Sequence, residues 1–394
     1  MDFRFSDADE AFRAEFRKWL EANLPEGARG KDFTVEFFAG EEGQEFERRM
    51  AWHKRMYEGG WIAIQWPKEY GGRGASLTQQ IVYEEELARA GAPRTVNGQG
   101  LGLVGPTLMH WGTEEQRRRY LQPMMTSEEI WCQGYSEPGS GSDLASLQAR
   151  AVDDGDYFVV NGQKIWTSDA HHADMCFLLV RTDAEAPKHK GITYLLVDMH
   201  SPGISVRPLV QMTGDRGFNE VFFEDVRVPK KNIVGDLNNG WLVALTSLMY
   251  ERRAPEITTL VGQLVRVAAA RKTGGTAAWS DTSVRQQLVK FHCEAEAIRL
   301  AGLRQLTQRL KGRPPGPEGS ILKLAYSELN VRINQFAMEL IGAYAPLEYQ
   351  AEYAVDDGRW SYRMLAARGL TIAAGTSEIQ HNIIGERILG LPKG

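Results

Sequence analysis

The chain has 394 residues, 46 Lys and Arg against 51 Asp and Glu, a formal net charge of −5, and 43% hydrophobic residues. These are globular proportions with room for two or three domains, and the mixed charge without a basic stripe argues against nucleic acid as a partner. Three scattered cysteines, Cys132, Cys176 and Cys293, have no CxxC spacing, which argues against disulfides and structural zinc and for a reducing compartment.

The start, MDFRFSDADEAFRAEFRKWLEANLP, lacks the apolar core of a signal peptide, and no later run approaches membrane-spanning length. A cytoplasmic protein is expected. Phe12, Phe16 and Leu20 recur at helical spacing behind Ser6 or Asp7 as a cap. SLTQQIVYEEELARAG predicts a helix from Ser76 to Gly91, and TEEQRRRYLQPMM another from Thr113. Between them GLGLVG (100–105) matches a dinucleotide fingerprint, but a helix precedes it and Pro106 follows. Without a βαβ context its glycines are read as close backbone approaches.

From about Ile130 to Val234 the character changes. Asn161-Gly162, inside YFVVNGQKIWTS, is a hairpin signal. MCFLLVRTD, ITYLLVDM, ISVRPLV and VFFEDVRVP follow at short intervals, as in a small barrel or sandwich. From Asn238 the helical period returns in three long segments, two of them divided by GRPPGPEG, as in an antiparallel bundle. Pro255 cannot donate to the Glu251 carbonyl, so a kink is expected there.

No HExxH, P-loop or G-x-S-x-G is present, and His171-His172 lacks helical ligand spacing, so it is read as solvated or loop-packing and no metal is expected. WCQGYSEPGSGSD (131–143) offers hydroxyls and backbone N–H groups at the junction of two zones, yet Trp131 and Tyr135 do not suit a solvated linker. KIWTSDA adds Trp166, Thr167 and Ser168 at a strand end. Two aromatic-plus-hydroxyl clusters flanking one β unit suit a planar polar cofactor. Near the end, TIAAGTSEIQHNII turns at Gly375-Thr376-Ser377 into a helix carrying Ile379, Ile383 and Ile384, a start at which N–H groups can hold an anion or ligand.

YSEPGSGSD, NGQKIWTS, FNEVFFEDVRVP, the ER of LMYERRA and GTSEIQHNII stand in the order found in the acyl-CoA dehydrogenase family, which the chain resembles over nearly its whole length. The resemblance implies an α+β fold with an N-terminal α-helical domain (1–129), a middle β-barrel domain (130–237) and a C-terminal four-helix bundle (238–394). It implies FAD as cofactor and oxidation of an acyl-CoA thioester to the trans-2-enoyl-CoA in lipid catabolism. The implied electron acceptor is an electron-transferring flavoprotein, and the implied assembly a homotetramer, a dimer of dimers, with a heteromer as the alternative. Gln133, Tyr135, Ser136, Gly141 and Ser142 correspond to flavin-lining positions, and Trp166, Thr167 and Ser168 to the segment packed on the isoalloxazine. Arg271, Glu339 and Gly342 correspond to positions that reach a neighbouring subunit's FAD, although the family commonly has an aromatic where Gly274 stands and a glutamine where Glu339 stands. Thr376, Ser377 and Glu378 complete the cofactor site.

Many members carry the α-proton base as a glutamate immediately before the Gly-Thr, where this chain has Ala374. A second branch carries it on the first long helix of the bundle, before an arginine, and Glu251-Arg252 stands at that point. The resemblance therefore implies Glu251 as base, with Ser142, Arg252, Ala374 and Gly375 meeting the substrate. The developing enolate oxygen would be held by the Ala374 backbone N–H and a ribityl hydroxyl. Two other expectations stand beside this one: a non-catalytic partner subunit of a heteromeric enzyme, and a flavin oxidase or monooxygenase on the same fold.

Overall fold

The computed structural model describes residues 5–25, 43–251, 257–273, 275–313, 316–348 and 351–393. They form two compact units, Met1–Glu251 and Arg252–Gly394. The first unit opens with α1 (Asp7–Asn23), α2 (Gln44–Glu58), α3 (Leu77–Ala90), α4 (Gly105–Trp111) and α5 (Glu114–Thr126). Three of these begin with a capping box: Ser6 with Asp9, Ser76 with Gln79, and Thr113 with Gln116, each satisfying two otherwise orphaned N–H groups. Gly91 closes α3 in the left-handed conformation. Phe12, Phe16 and Leu20 are buried as their spacing predicts, with Phe16 4.3 Å from the Trp61 ring.

The Glu86 side chain on α3 is 1% exposed and accepts hydrogen bonds from Arg17 (2.7 and 2.9 Å), Arg89 (2.7 Å) and Arg13 (3.3 Å). Those bonds, Arg17's first, outweigh burial and hold the carboxyl down to about 2. A depressed folded pKa contributes stability that is present above the unfolded carboxyl value and is lost as pH falls through the folded one. The melting-temperature gap between the wild type and Glu86→Gln is thus expected to be full at neutral pH and to close between pH ~4.5 and ~2. A gap independent of pH over that range counts against the assignment.

The strand zone is one seven-stranded curled sheet. Its strands are β1 (Trp131–Gly134), β2 (Arg150–Asp154), β3 (Tyr157–Ser168), β4 (Met175–Arg181), β5 (Ile192–Asp198), β6 (Ile204–Leu209) and β7 (Phe218–Pro229). The order is β1-β4-β2-β3-β7-β6, with β5 also paired to β4. One expectation is corrected: Asn161-Gly162 is not a turn. β3 runs straight through it, and the β2–β3 turn is at Gly155-Asp156, with Asp154 opposite Tyr157. Gly162 instead marks an irregularity against β7, where a Cβ would come within 2.5 Å of the Ala149 side chain.

The last helix of this unit, α6 (Gly240–Glu251), is anchored on β5 and α4. A Cβ at Gly240 would lie 2.5 Å from the backbone of Thr193 and Tyr194, and Val243 and Ala244 are fully buried. Trp111 Nε1 donates to Thr246 Oγ1 at 2.9 Å, and the Thr107 and Ser247 hydroxyls are 2.8 Å apart. GLGLVG forms a π-helical turn, Gly100–Val104, leading into α4. The close-approach reading holds at Gly105, whose Cβ would lie 2.3 Å from Trp66, and at Gly100, 2.5 Å from Asn97 Oδ1.

The second unit holds α7 (Thr258–Ala270), the short pair β8 (Lys272–Thr273) and β9 (Thr276–Ala277), then α8 (Thr282–Leu310), α9 (Gly319–Ile341), α10 (Arg359–Leu370) and α11 (Ser377–Ile383). Leu264, Phe291, Leu329, Ile333 and Trp360 form its core. The kink expected at Pro255 lies outside the described residues, as do Arg252 and Gly274.

Candidate functional site

In the first unit, the two clusters read from the sequence meet. Past β1 the chain crosses onto β3: Ile165 N–H donates to the Ser136 carbonyl at 2.9 Å. Lys164 Nζ donates to the Tyr135 carbonyl at 3.0 Å and to Glu137 Oε1 at 2.8 Å. The Glu137 carboxylate also accepts from the Gln148 N–H (2.6 Å) and the Ala149 N–H (2.9 Å). This ion pair is buried, with the Lys164 side chain 0% exposed. Burial lowers the Lys164 pKa, against the pull of Glu137. Loss of solvation makes the pair a pin for the 135–149 segment rather than a reacting group.

Beyond Lys164 the β3–β7 register shifts, and Thr167 pairs with Asn219. Trp166 sits in this irregularity at φ 61°, 58% exposed, with its ring edge-on to Phe218 at 5.9 Å. A left-handed conformation at a large aromatic is uncommon and persists where the surroundings impose it. Gln133 Nε2 and Thr167 Oγ1 are buried without a hydrogen-bond partner among the described residues. Orphaned groups of this kind cost about 1–3 kcal/mol each, and here they stand on the two strands that the crossing joins. An acceptor-rich heteroaromatic edge is the kind of group that would suit such donors, so the residues present fit FAD. Gly141 and Ser142 are exposed beyond the Glu137–Ser140 turn, and neighbouring Asp143 pairs with Lys188.

Glu251 is the terminal residue of α6. Gly98 and Gly102, in the glycine-rich segment of the same unit, face open space: a Cβ at either would meet nothing within 4 Å.

In the second unit, Ala374 at φ 55° and Gly375 at φ 92° make the turn before α11. Thr376 caps that helix by accepting from Ile379 N–H at 3.3 Å. Gln380 Nε2, in a nearly fully buried residue, donates to the carbonyls of Ala374 and Gly375 at 3.1 Å each. Ser377 Oγ donates to Glu328 Oε1 at 2.5 Å, and Glu378 is exposed. The other expected residues gather at the far end of α9. Arg271 Nη2 donates to the Ile341 carbonyl at 2.8 Å, and the guanidinium lies 5.2 Å from the Tyr344 ring centroid. Its Nε is buried without a hydrogen-bond partner among the described residues, which suits an anion. Glu339 and Gly342 are exposed beside it. From Glu328 to Gly342 the helical rise is roughly 20 Å, so Ser377 and Arg271 stand about that far apart along one helix.

Sequence reasoning missed Glu137, Lys164, Asn219 and Gln380 as supports of these turns. For Lys164 a signal existed: the period-two pattern from Phe158 through Val160 and Gly162 points it inward. For Asn219 and Gln380 no local pattern marks a buried amide whose partner lies across a strand or back along a turn.

Family models match the chain along its length: "Acyl-CoA dehydrogenase, N-terminal domain" over residues 6–128, "Acyl-CoA dehydrogenase, middle domain" over 132–226 and "Acyl-CoA dehydrogenase, C-terminal domain" over 238–389. "Acyl-CoA dehydrogenase IpdE1" of Mycobacterium tuberculosis (strain ATCC 25618 / H37Rv) is 40% identical over 393 residues, covering 98% of each chain. Among solved structures, a chain of the "Tcur3481-Tcur3483 steroid ACAD" is 33% identical with a TM-score of 0.85 over 100% of both chains. A chain of the ChsE4-ChsE5 complex from Mycobacterium tuberculosis is also 33% identical, with a TM-score of 0.83 over 100% of both.

Proposed function

The chain belongs to the acyl-CoA dehydrogenase family of FAD-dependent oxidoreductases, and from that premise we propose that it dehydrogenates a bulky or ring-bearing acyl-CoA to the trans-2-enoyl-CoA. The observation that carries the reading is the meeting of the 133–136 and 164–168 segments through the Lys164–Tyr135 and Ile165–Ser136 hydrogen bonds, with one buried polar group on each segment left without a partner among the described residues. We assign its domains to 1–129, 130–237 and 238–394.

Glu251 removes the α-proton, and the Ala374 N–H donates to the thioester oxygen as charge develops there. A backbone donor survives the absence of a carboxylate at position 374. FAD held there would supply the hydride acceptor for the β-carbon. Trp166, Thr167 and Ser168 would orient the ring, Gln133, Tyr135 and Ser136 would line it with Gly141 and Ser142, and Thr376, Ser377 and Glu378 would also hold the cofactor. Ser142, Arg252 and Gly375 meet the substrate. Exclusion of water by the acyl chain raises the basicity of the carboxylate. Electrons leave to an electron-transferring flavoprotein.

The substrate class rests on the open space at Gly98 and Gly102, and on likeness to a protein named a steroid ACAD. Anaerobic titration with a panel of acyl-CoA thioesters should bleach the flavin most efficiently with branched or ring-bearing acyl groups. Gly102→Leu should impair those while sparing butyryl-CoA. Equal efficiency on butyryl and ring-bearing thioesters counts against the assignment.

Arg271, Glu339 and Gly342 are assigned to a neighbouring subunit's FAD, which their distance from Ser377 along α9 supports, and the proposed assembly is a tetramer, a dimer of dimers. Sedimentation should find FAD only in oligomers, whereas a monomer carrying stoichiometric FAD would refute this. A second reading, a partner subunit in a heteromeric enzyme, is favoured by Ala374 and by the two-component names of the structural relatives. A wild type whose flavin is bleached by no thioester supports it.

A further inference from the structure

Asn219 sits in β7 opposite Thr167, just past the register shift, and is fully buried. Its Nδ2 is 3.0 Å from the Thr167 carbonyl oxygen and 3.1 Å from His171 Nδ1. A carbonyl oxygen can only accept, so the nitrogen of the amide faces Thr167, and this sets the orientation of the whole carboxamide. Its second hydrogen then points at His171 Nδ1, which must accept it, so a neutral His171 carries its proton on Nε2. One buried amide thus spends both donors on the corner that follows Trp166.

The corner needs such ties. Trp166 and Asp169 both hold left-handed backbone, at φ 61° and 54°, and bracket Thr167 and Ser168 between them. Strain of this kind relaxes unless neighbours over-determine the conformation. Asp169 N–H donates to the Gly217 carbonyl at 2.9 Å, a second tie to the segment entering β7. His171 is itself anchored: its ring lies 4.1 Å from that of His172, which stacks on Phe46 at 3.9 Å and 9°. The histidine pair, which the proposed chemistry leaves unused, therefore buttresses the corner from outside the sheet.

We propose that Asn219, with His171 as its second acceptor, is a positioning residue that holds the Trp166–Ser168 corner in the shape that meets the flavin ring. This rests on the reading that the corner lines FAD.

Asn219→Asp keeps the volume but sets a carboxylate oxygen against the Thr167 carbonyl and leaves no donor. His171→Phe keeps a ring and removes the acceptor, whereas His171→Asn restores an acceptor near the place of Nδ1. Each variant of the full chain is titrated with FAD, following flavin fluorescence and the shape of the visible flavin band, with circular dichroism and melting temperature as controls of folding. Asn219→Asp and His171→Phe are expected to weaken FAD binding by about tenfold or more, the scale of one or two lost hydrogen bonds, and to alter the flavin band. His171→Asn is expected to stay within about twofold of wild type. A folded Asn219→Asp or His171→Phe with wild-type affinity and an unchanged band overturns the proposal, and so does a His171→Asn as weak as His171→Phe. If Asn219→Asp does not fold, the two His171 variants decide alone. A wild type that takes up no FAD instead overturns the reading beneath it.

Discussion

Glu251→Gln is expected to bind FAD and acyl-CoA as the wild type does, yet to reduce its flavin at least about a hundredfold more slowly, the weight of a lost general base. The amide preserves size and hydrogen bonding and removes only the proton acceptor, so a fall in rate without a fall in binding separates chemistry from structure. The seat of α6 makes the comparison clean. Gly240, Val243, Ala244, Thr246 and Ser247 anchor the helix to β5 and α4, all ahead of position 251 in the chain. In the family the base stands either at this helix or before the Gly-Thr turn, so Glu251→Gln combined with Ala374→Glu should recover part of the rate. Stopped-flow bleaching with the best thioester reads both variants. Flavin reduction by Glu251→Gln at the wild-type rate would end the assignment.

Lys164→Met is expected to cost about 3–5 kcal/mol of stability, because it leaves the Glu137 carboxylate buried with two backbone donors and no counter-charge. The same change frees the Tyr135 carbonyl that Lys164 holds, so FAD binding should fall along with stability. Replacing Glu137 by Leu as well removes the buried charge, but it orphans the Gln148 and Ala149 N–H groups. The double variant should therefore recover only part of the loss. Denaturant midpoints of the three proteins, read with retained flavin, test this. A Lys164→Met protein within about 1 kcal/mol of wild type contradicts the ion pair's role as a pin.

The local rules of the chain were legible where one segment satisfies itself. Ser6, Ser76 and Thr113 announce helix starts because each capping box closes within four residues, and Phe12, Phe16 and Leu20 show their buried face by spacing alone. The failure at Asn161-Gly162 is equally physical. The pair satisfies a turn's local preference, but Gly162 is there because Ala149 approaches the backbone from another part of the chain, and no window around Asn161 contains that neighbour.

By itself the sequence determined the order of helices, strands and helices, the helix starts at Ser6, Ser76 and Thr113 and, through five ordered motifs, the family to which the chain belongs. It also marked Ala374 as a turn without a carboxylate and Glu251 as the remaining candidate. Only the tertiary structure decided that WCQGYSEPGSGSD and KIWTSDA meet through the buried Lys164–Glu137 pair. The same holds for Trp166 in a left-handed bulge tied to Asn219, and for Gln380 clamping the carbonyls of Ala374 and Gly375. The reason is that a cap or an apolar stripe is written in neighbours three or four residues apart. A buried charge or amide takes its meaning from a partner brought close by the sheet: Lys164 and Glu137 are 27 positions apart and Asn219 and Thr167 are 52, yet each pair meets within 3.0 Å.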